Sequence, residues 1–157
     1  MTRRPRTAFA MILVLLAAGL LSAIAAAQIQ PPPAAQTPYQ PKYRGDPAKS
    51  QAEYLTLGYM RTVTRAEKVY FRRHNQYTPS LSALAGTASF TRRMARDTQR
   101  GDYTIHYRVK KDPKEGYQLT ATPQQIGPDH RSFYADEDGK IRAEDDKLAG
   151  PKSPVLK

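Results

Sequence analysis

Between residues 52 and 70, apolar and aromatic side chains recur at Ala52, Leu55, Tyr59, Val63, Ala66 and Tyr70. Steps of three and four residues are the period of one helix face, so the spacing predicts an amphipathic α-helix. Asp46-Pro47 offers an N-cap followed by a proline suited to the first helical position. His74-Asn75 offers the stop, because Asn tolerates the left-handed backbone at a helix C-terminus. Such a helix of about 28 residues is close to 40 Å long. Gly58 weakens it by about 1 kcal/mol relative to Ala without breaking it. Arg61, Arg65, Lys68 and Arg72 keep the same spacing, two positions out of phase with the apolar stripe. Two positions are about 200° around a helix, which puts these cations opposite the expected buried face.

Beyond the helix, Thr78-Pro79 starts a short turn of helix carrying Leu81 and Leu84, and Gly86 closes it. The segment SFTRRMARDTQRGD (89–102) predicts a further short helix through Phe90 and Met94, adding Arg92, Arg93, Arg96 and Arg100 to the positive side. From Tyr103 the period changes to two. Tyr103, Ile105, Tyr107 and Val109 alternate with Thr104, His106, Arg108 and Lys110, the pattern of a half-buried strand. After a KDPKEG turn, Tyr117, Leu119 and Ala121 alternate again, and RSFYADEDGKIRA reads as a hairpin about Asp138-Gly139. A long helix followed by a three- to four-stranded antiparallel sheet is an α+β layout, with the helix stripe lying across the sheet. The tail EDDKLAGPKSPVLK is expected to be loosely ordered.

The N-terminal end changes the picture from a bare domain to an exported one. MTRRPRT is a basic start, AFAMILVLLAAGLL is apolar, and Ala25 and Ala27 stand where a signal peptidase reads small residues. Cleavage after Ala27 is the first expectation; the apolar stretch 8–27 left uncleaved is the alternative, and only then is the protein anchored in the inner membrane. Either way the remainder is periplasmic or secreted. Residues 28–46, QIQPPPAAQTPYQPKYRGD, are rich in Pro and Gln, a composition suited to a semi-rigid spacer. The expected organisation is therefore targeting segment or anchor 1–27, linker 28–46, α+β domain 47–150 and tail 151–157. The chain has no Cys, so neither a disulfide nor a lipid on Cys serves it.

Charge is the remaining compositional feature. The 157 residues carry a formal net charge of +11, and residues 28–111 hold most of it. A chain polarised in this way is suited to anionic partners, or to self-association head to tail. The ridge Arg61, Arg65, Lys68 and Arg72 is the candidate contact for a partner or a polyanion such as nucleic acid or an acidic polymer. Nucleic acid is the less favoured of these because the chain reads as exported.

Catalytic and metal chemistry find little footing in the pattern. His74, His106 and His130 fall at a helix end, on a strand's polar face and in a loop, without metal-ligand spacing. DEDG (136–139) has the start of a calcium loop but not its later ligands, and reads as a turn. Glu144, Asp145 and Asp146 are adjacent on the tail, where two carboxyls are not held across a cleft. Neither a G-x-S-x-G elbow nor a Gly-rich phosphate loop occurs. Neither an enzyme nor a cofactor is expected.

The stretch AEKVYFRRHNQYTPSLSALAG, the strands DYTIHYRV and YQLTATP, and the hairpin RSFYADEDGKIRA together resemble the globular heads of type IV pilins and the pseudopilins of type II secretion. The likeness covers about residues 48–150. It implies a long helix packed on an antiparallel sheet, and a role through contacts with envelope proteins in a pilus or secretion apparatus. The chain departs from that family in its first third: it has no Gly-Phe processing site and no Glu in the apolar run, and Pro31 to Pro33 interrupt the rod. The resemblance thus implies a detached head, secreted or tethered.

Overall fold

The computed structural model describes residues 38–157. The expected targeting segment, its positions Ala25 and Ala27, and most of the linker lie outside the described residues. Helix α1 spans Gln51–His74 and is followed by a 3-10 turn, Leu81–Leu84, and a short helix α2, Arg92–Arg96. Strands β1 (Gln99–Arg100), β2 (Tyr103–Val109), β3 (Tyr117–Pro123), β4 (Ser132–Asp136) and β5 (Ile141–Glu144) then pair in chain order as one antiparallel sheet. The architecture is α+β, with one main helix and a five-stranded meander.

Helix α1 starts four residues later than Asp46-Pro47 suggests. Ser50 is the N-cap, its Oγ accepting from the Glu53 N–H at 3.2 Å. Glu53 reaches back to accept from the Lys49 N–H at 2.8 Å, a close variant of the Ser-x-x-Glu capping box. Asp46 instead folds the preceding segment, accepting from the Tyr39 hydroxyl and from the N–H groups of Lys42 and Ala48. Tyr39 thereby packs against the core, so the end of the expected linker is part of the domain. The C-terminal stop is Asn75, left-handed at φ 53°, whose N–H donates to Phe71 O at 2.8 Å.

The buried face of α1 is not the apolar stripe alone. Glu53, Thr56, Leu57, Tyr59, Met60, Val63, Thr64, Ala66 and Glu67 are buried, while Leu55 is 49% exposed. At about 100° per residue this face is rotated by roughly 70° from the predicted one. The rotation turns Leu55 to solvent and brings the cationic ridge to the flank of the domain instead of opposite the core.

Beneath the helix, the sheet presents cross-strand rows. Ile105, Ala121, Phe133 and Ala143 stand in register, as do Tyr107, Leu119, Ala135 and Ile141. These rows meet Leu57, Met60, Val63 and Ala66 in the hydrophobic core, with Leu84 and Phe90 closing it from the connecting segment. The segment read as one helix over 89–102 divides. Thr91 caps α2, and Gln99 and Arg100 leave it to pair with Thr104 and Tyr103.

The C-terminal stretch is also more ordered than expected. Ser132 Oγ donates to Lys147 O and accepts from the Ala149 N–H, which draws residues 147–149 over β4. Residues 154–156 then run beside β5, with Ala143 N–H donating to Pro154 O and Leu156 N–H to Ile141 O. This covers an otherwise open strand edge, whose bare N–H and C=O groups invite pairing with other chains. Among the described residues, no helix is long and apolar enough to cross a membrane.

Candidate functional site

The outward side of α1 carries Arg61, Arg65, Lys68 and Arg72, all exposed. The four are not equivalent. Arg61 Nη1 donates to the Tyr43 hydroxyl at 3.3 Å, and Lys68 lies against the hairpin at Gly139. Gly139 has φ +74°, and a Cβ there would stand 2.7 Å from Lys68 Nζ, so the turn is open to this lysine only because it has no side chain. Both contacts follow from the rotation of α1, which swings residues 61 and 68 onto the domain's flank. Arg65 and Arg72 remain pointed at water.

None of the ion pairs among the described residues uses these four cations, nor Arg92, Arg93 or Arg96 of α2. The acids of the sheet, by contrast, are largely neutralised where they stand. Asp138 pairs with Arg142 at 2.6 Å, and that guanidinium holds its carboxyl well below the usual range. Glu137 pairs with Lys110 at 2.6 Å, and Asp145 with Lys49 at 3.3 Å. Burial, with Asp138 alongside, raises the Asp136 carboxyl. The helix side therefore carries uncompensated positive charge, able to hold carboxylates or phosphates of a partner through water-exposed contacts.

The other candidates disperse. His74 is exposed with its ring 4.2 Å from that of Tyr70, His106 is exposed on β2, and His130 Nε2 lies 3.2 Å from Asp102 Oδ2. The acids of 136–139 face Arg142 and Lys110 across the hairpin. Among the described residues, no group of three or more His, Asp or Glu side chains converges in a way that would hold a metal. A concavity of about 670 Å³ lies between Pro47, Arg131, Asp145 and Leu156, and a groove of about 390 Å³ runs between α1 and α2 past Gly58, Tyr59 and Met94. In that groove the Arg100 guanidinium stacks 4.0 Å from the centre of the Tyr59 ring.

Two fully buried glutamates went unseen in the apolar pattern. Glu53 meets Arg131, whose Nη2 is 2.8 Å from Oε2 and whose Nε is 3.1 Å from Oε1, while the Arg131 N–H also donates to Oε1 at 2.9 Å. Arg131 Nη2 further donates to Pro47 O at 2.6 Å, tying the helix start to the approach to β4. Glu67 has no such cation. Its Oε1 is 2.6 Å from the Tyr107 hydroxyl, and its Oε2 accepts from the Thr78 N–H at 3.3 Å. Burial pushes this carboxyl up to about 7, against a weaker downward pull from those two contacts. The Ser50-x-x-Glu53 spacing was a legible sign of Glu53's capping role; nothing local announced Arg131 or Tyr107 as partners.

No family model, curated protein or solved structure matches this chain. Fold and surface alone define the class: an α+β domain of one long helix on an antiparallel meander, polar-stapled inside and cationic along its helix side.

Proposed function

We propose that this chain is an exported, non-enzymatic envelope protein with a pilin-like head, working by protein–protein contact, with a pilus or secretion apparatus as its setting. The observation that supports this reading is the exposed helix side, where Arg65 and Arg72 stand without an acidic partner while the sheet's acids are paired internally. A solvated face of this kind is suited to meeting an acidic protein surface, and it gains encounter rate from charge steering. The test is capture from envelope fractions with the mature protein and with an Arg65→Glu, Arg72→Glu variant. Recovery of pilus or secretion components by the first and not the second is the expected outcome; a clean monomer that retains nothing would end the proposal. N-terminal sequencing of the soluble and membrane pools decides between release after Ala27 and anchorage through residues 8–27.

The same unpaired cations favour one second reading, a periplasmic binder of polyanions such as DNA or an acidic polymer. It predicts salt-sensitive retention on heparin or DNA that Arg65→Glu with Lys68→Glu abolishes. Each phosphate contact contributes a slope of about −0.7 to −0.9 in log affinity against log salt. Unchanged retention on charge reversal would remove this reading.

A further inference from the structure

The contacts of Glu67 contain more acceptors than protons. Tyr107 Oη has a single hydrogen, yet it stands 2.6 Å from Glu67 Oε1 and 2.8 Å from the carbonyl oxygen of Thr78. If Glu67 is ionised, both neighbours are acceptors and only one is served. If Glu67 carries a proton on Oε1, it donates to Tyr107 Oη, Tyr107 donates to Thr78 O, and the Thr78 N–H returns to Glu67 Oε2. The three groups then close a ring with every donor and acceptor used. Both Glu67 and Thr78 are 0% exposed, so water does not make up a missing bond in the closed form.

We propose that Glu67, Tyr107 and Thr78 form a proton-operated latch that holds the connector Asn75–Gly86 onto α1 and β2, and that loss of the Glu67 proton loosens it. The surroundings agree with a neutral carboxyl. The titratable groups that interact with it are phenols: Tyr77 from the connector, Tyr107 from β2 and Tyr117 from β3, with Tyr70 of α1 in turn beside Tyr107. Tyr77 and Tyr117 have ring centres 5.2 Å apart, and Tyr107 and Tyr117 5.7 Å apart, an aromatic wall against the site. Two cations on the adjoining elements are engaged elsewhere: Lys110, just past β2, pairs with Glu137 beside Asp136 of β4, and Lys68 of α1 lies on the hairpin turn. Burial raises the carboxyl into the neutral range and raises Tyr107 still further, so Glu67 is the group that titrates.

Ionisation leaves a buried carboxylate without a counter-charge and takes the Tyr107 hydrogen from the Thr78 carbonyl. Besides Tyr107, the connector is held there by the Tyr77 N–H to Pro113 O bond and by the burial of Leu81 and Leu84. Loosening it uncovers these leucines, so the exported domain would present a different apolar surface on the two sides of neutrality.

The test is hydrogen–deuterium exchange on the full chain between about pH 5 and pH 9, with rates corrected for intrinsic chemical exchange. Protection of residues 75–86 is expected to fall about tenfold per pH unit from the ordinary carboxylate range up to the raised Glu67 value of about 7 and to level off above it, while β3 and β4 stay protected. In Glu67→Gln the amide supplies the lacking donor permanently, and the connector is expected to remain protected throughout. A wild-type connector whose protection does not change with pH, or a Gln variant that keeps the wild-type profile, overturns the latch. Should the variant fail to fold, the ¹³C shift of the Glu67 carboxyl in the wild type decides: titration near neutrality supports the proposal, and titration in the ordinary carboxylate range refutes it.

Discussion

Replacing Arg131 with Met removes a charged group from the interior while keeping much of its volume, and it isolates the role of the Glu53 pair. In the wild type the Glu53 carboxylate accepts from Arg131 Nε, Arg131 Nη2, the Arg131 N–H and the Lys49 N–H, at 2.8 to 3.1 Å. The substitution deletes the two charge-assisted bonds and leaves the two from backbone, so a carboxylate at 0% exposure keeps half its donors and no counter-charge. Pro47 O also loses its donor. Breaking one side of such a pair costs about 3–5 kcal/mol, because the remaining charge stays desolvated. That is a large part of the roughly 5–15 kcal/mol available to a domain. Urea denaturation read by circular dichroism is the assay, with the midpoint expected to fall at an unchanged slope. Adding Glu53→Gln should recover most of the loss, since the orphaned charge is then gone. A single substitution costing less than about 1 kcal/mol, or a double variant no better than the single, would refute the view that desolvated charge sets the penalty.

Other outcomes follow from the same contacts. Because burial lifts the Glu67 carboxyl from 4.5 to about 7, the folded state binds this proton more tightly than the unfolded chain. Its contribution is fully present below the unfolded value and is lost as pH rises through 7, a difference of about 3 kcal/mol between urea titrations at low and high pH. Asp138 runs the other way: held low by Arg142, it contributes above the ordinary carboxylate value and loses that contribution as pH falls through its own depressed one, a weak acid-side effect visible in thermal melts. Asn75 is left-handed at φ 53°, so Asn75→Gly should leave the melting temperature near wild type, whereas Asn75→Val should cost about 1 kcal/mol or more. Truncation after Gly150 removes the two backbone bonds to β5 and re-exposes its edge; a loss of about 2 kcal/mol, with concentration-dependent association in light scattering, is expected.

The order of the elements was legible because each signal is local. The change of hydrophobic period at Tyr103, the left-handed stop at Asn75 and the Asp138-Gly139 turn depend on neighbours a few residues away, and they stand in the structure where the pattern placed them. The rotation of α1 was not legible. An apolar stripe through Leu55 is a sound inference if only apolar side chains go inside, but Glu53 and Glu67 are inside as well, each satisfied by a residue 78 or 40 positions away. A buried polar group is expensive until its partner arrives, and only the tertiary fold delivers Arg131 and Tyr107. The same holds for β1 and for the strand-like return of residues 154–156, which are too short to show a period and exist because β2 and β5 offer them an edge. The sequence alone determined that a helix would lie on an antiparallel sheet, and which cations the helix would show. The tertiary structure decided which of those cations are free, since contacts between distant segments turned the helix about its axis and brought Arg61 and Lys68 against Tyr43 and Gly139, leaving Arg65 and Arg72 in water.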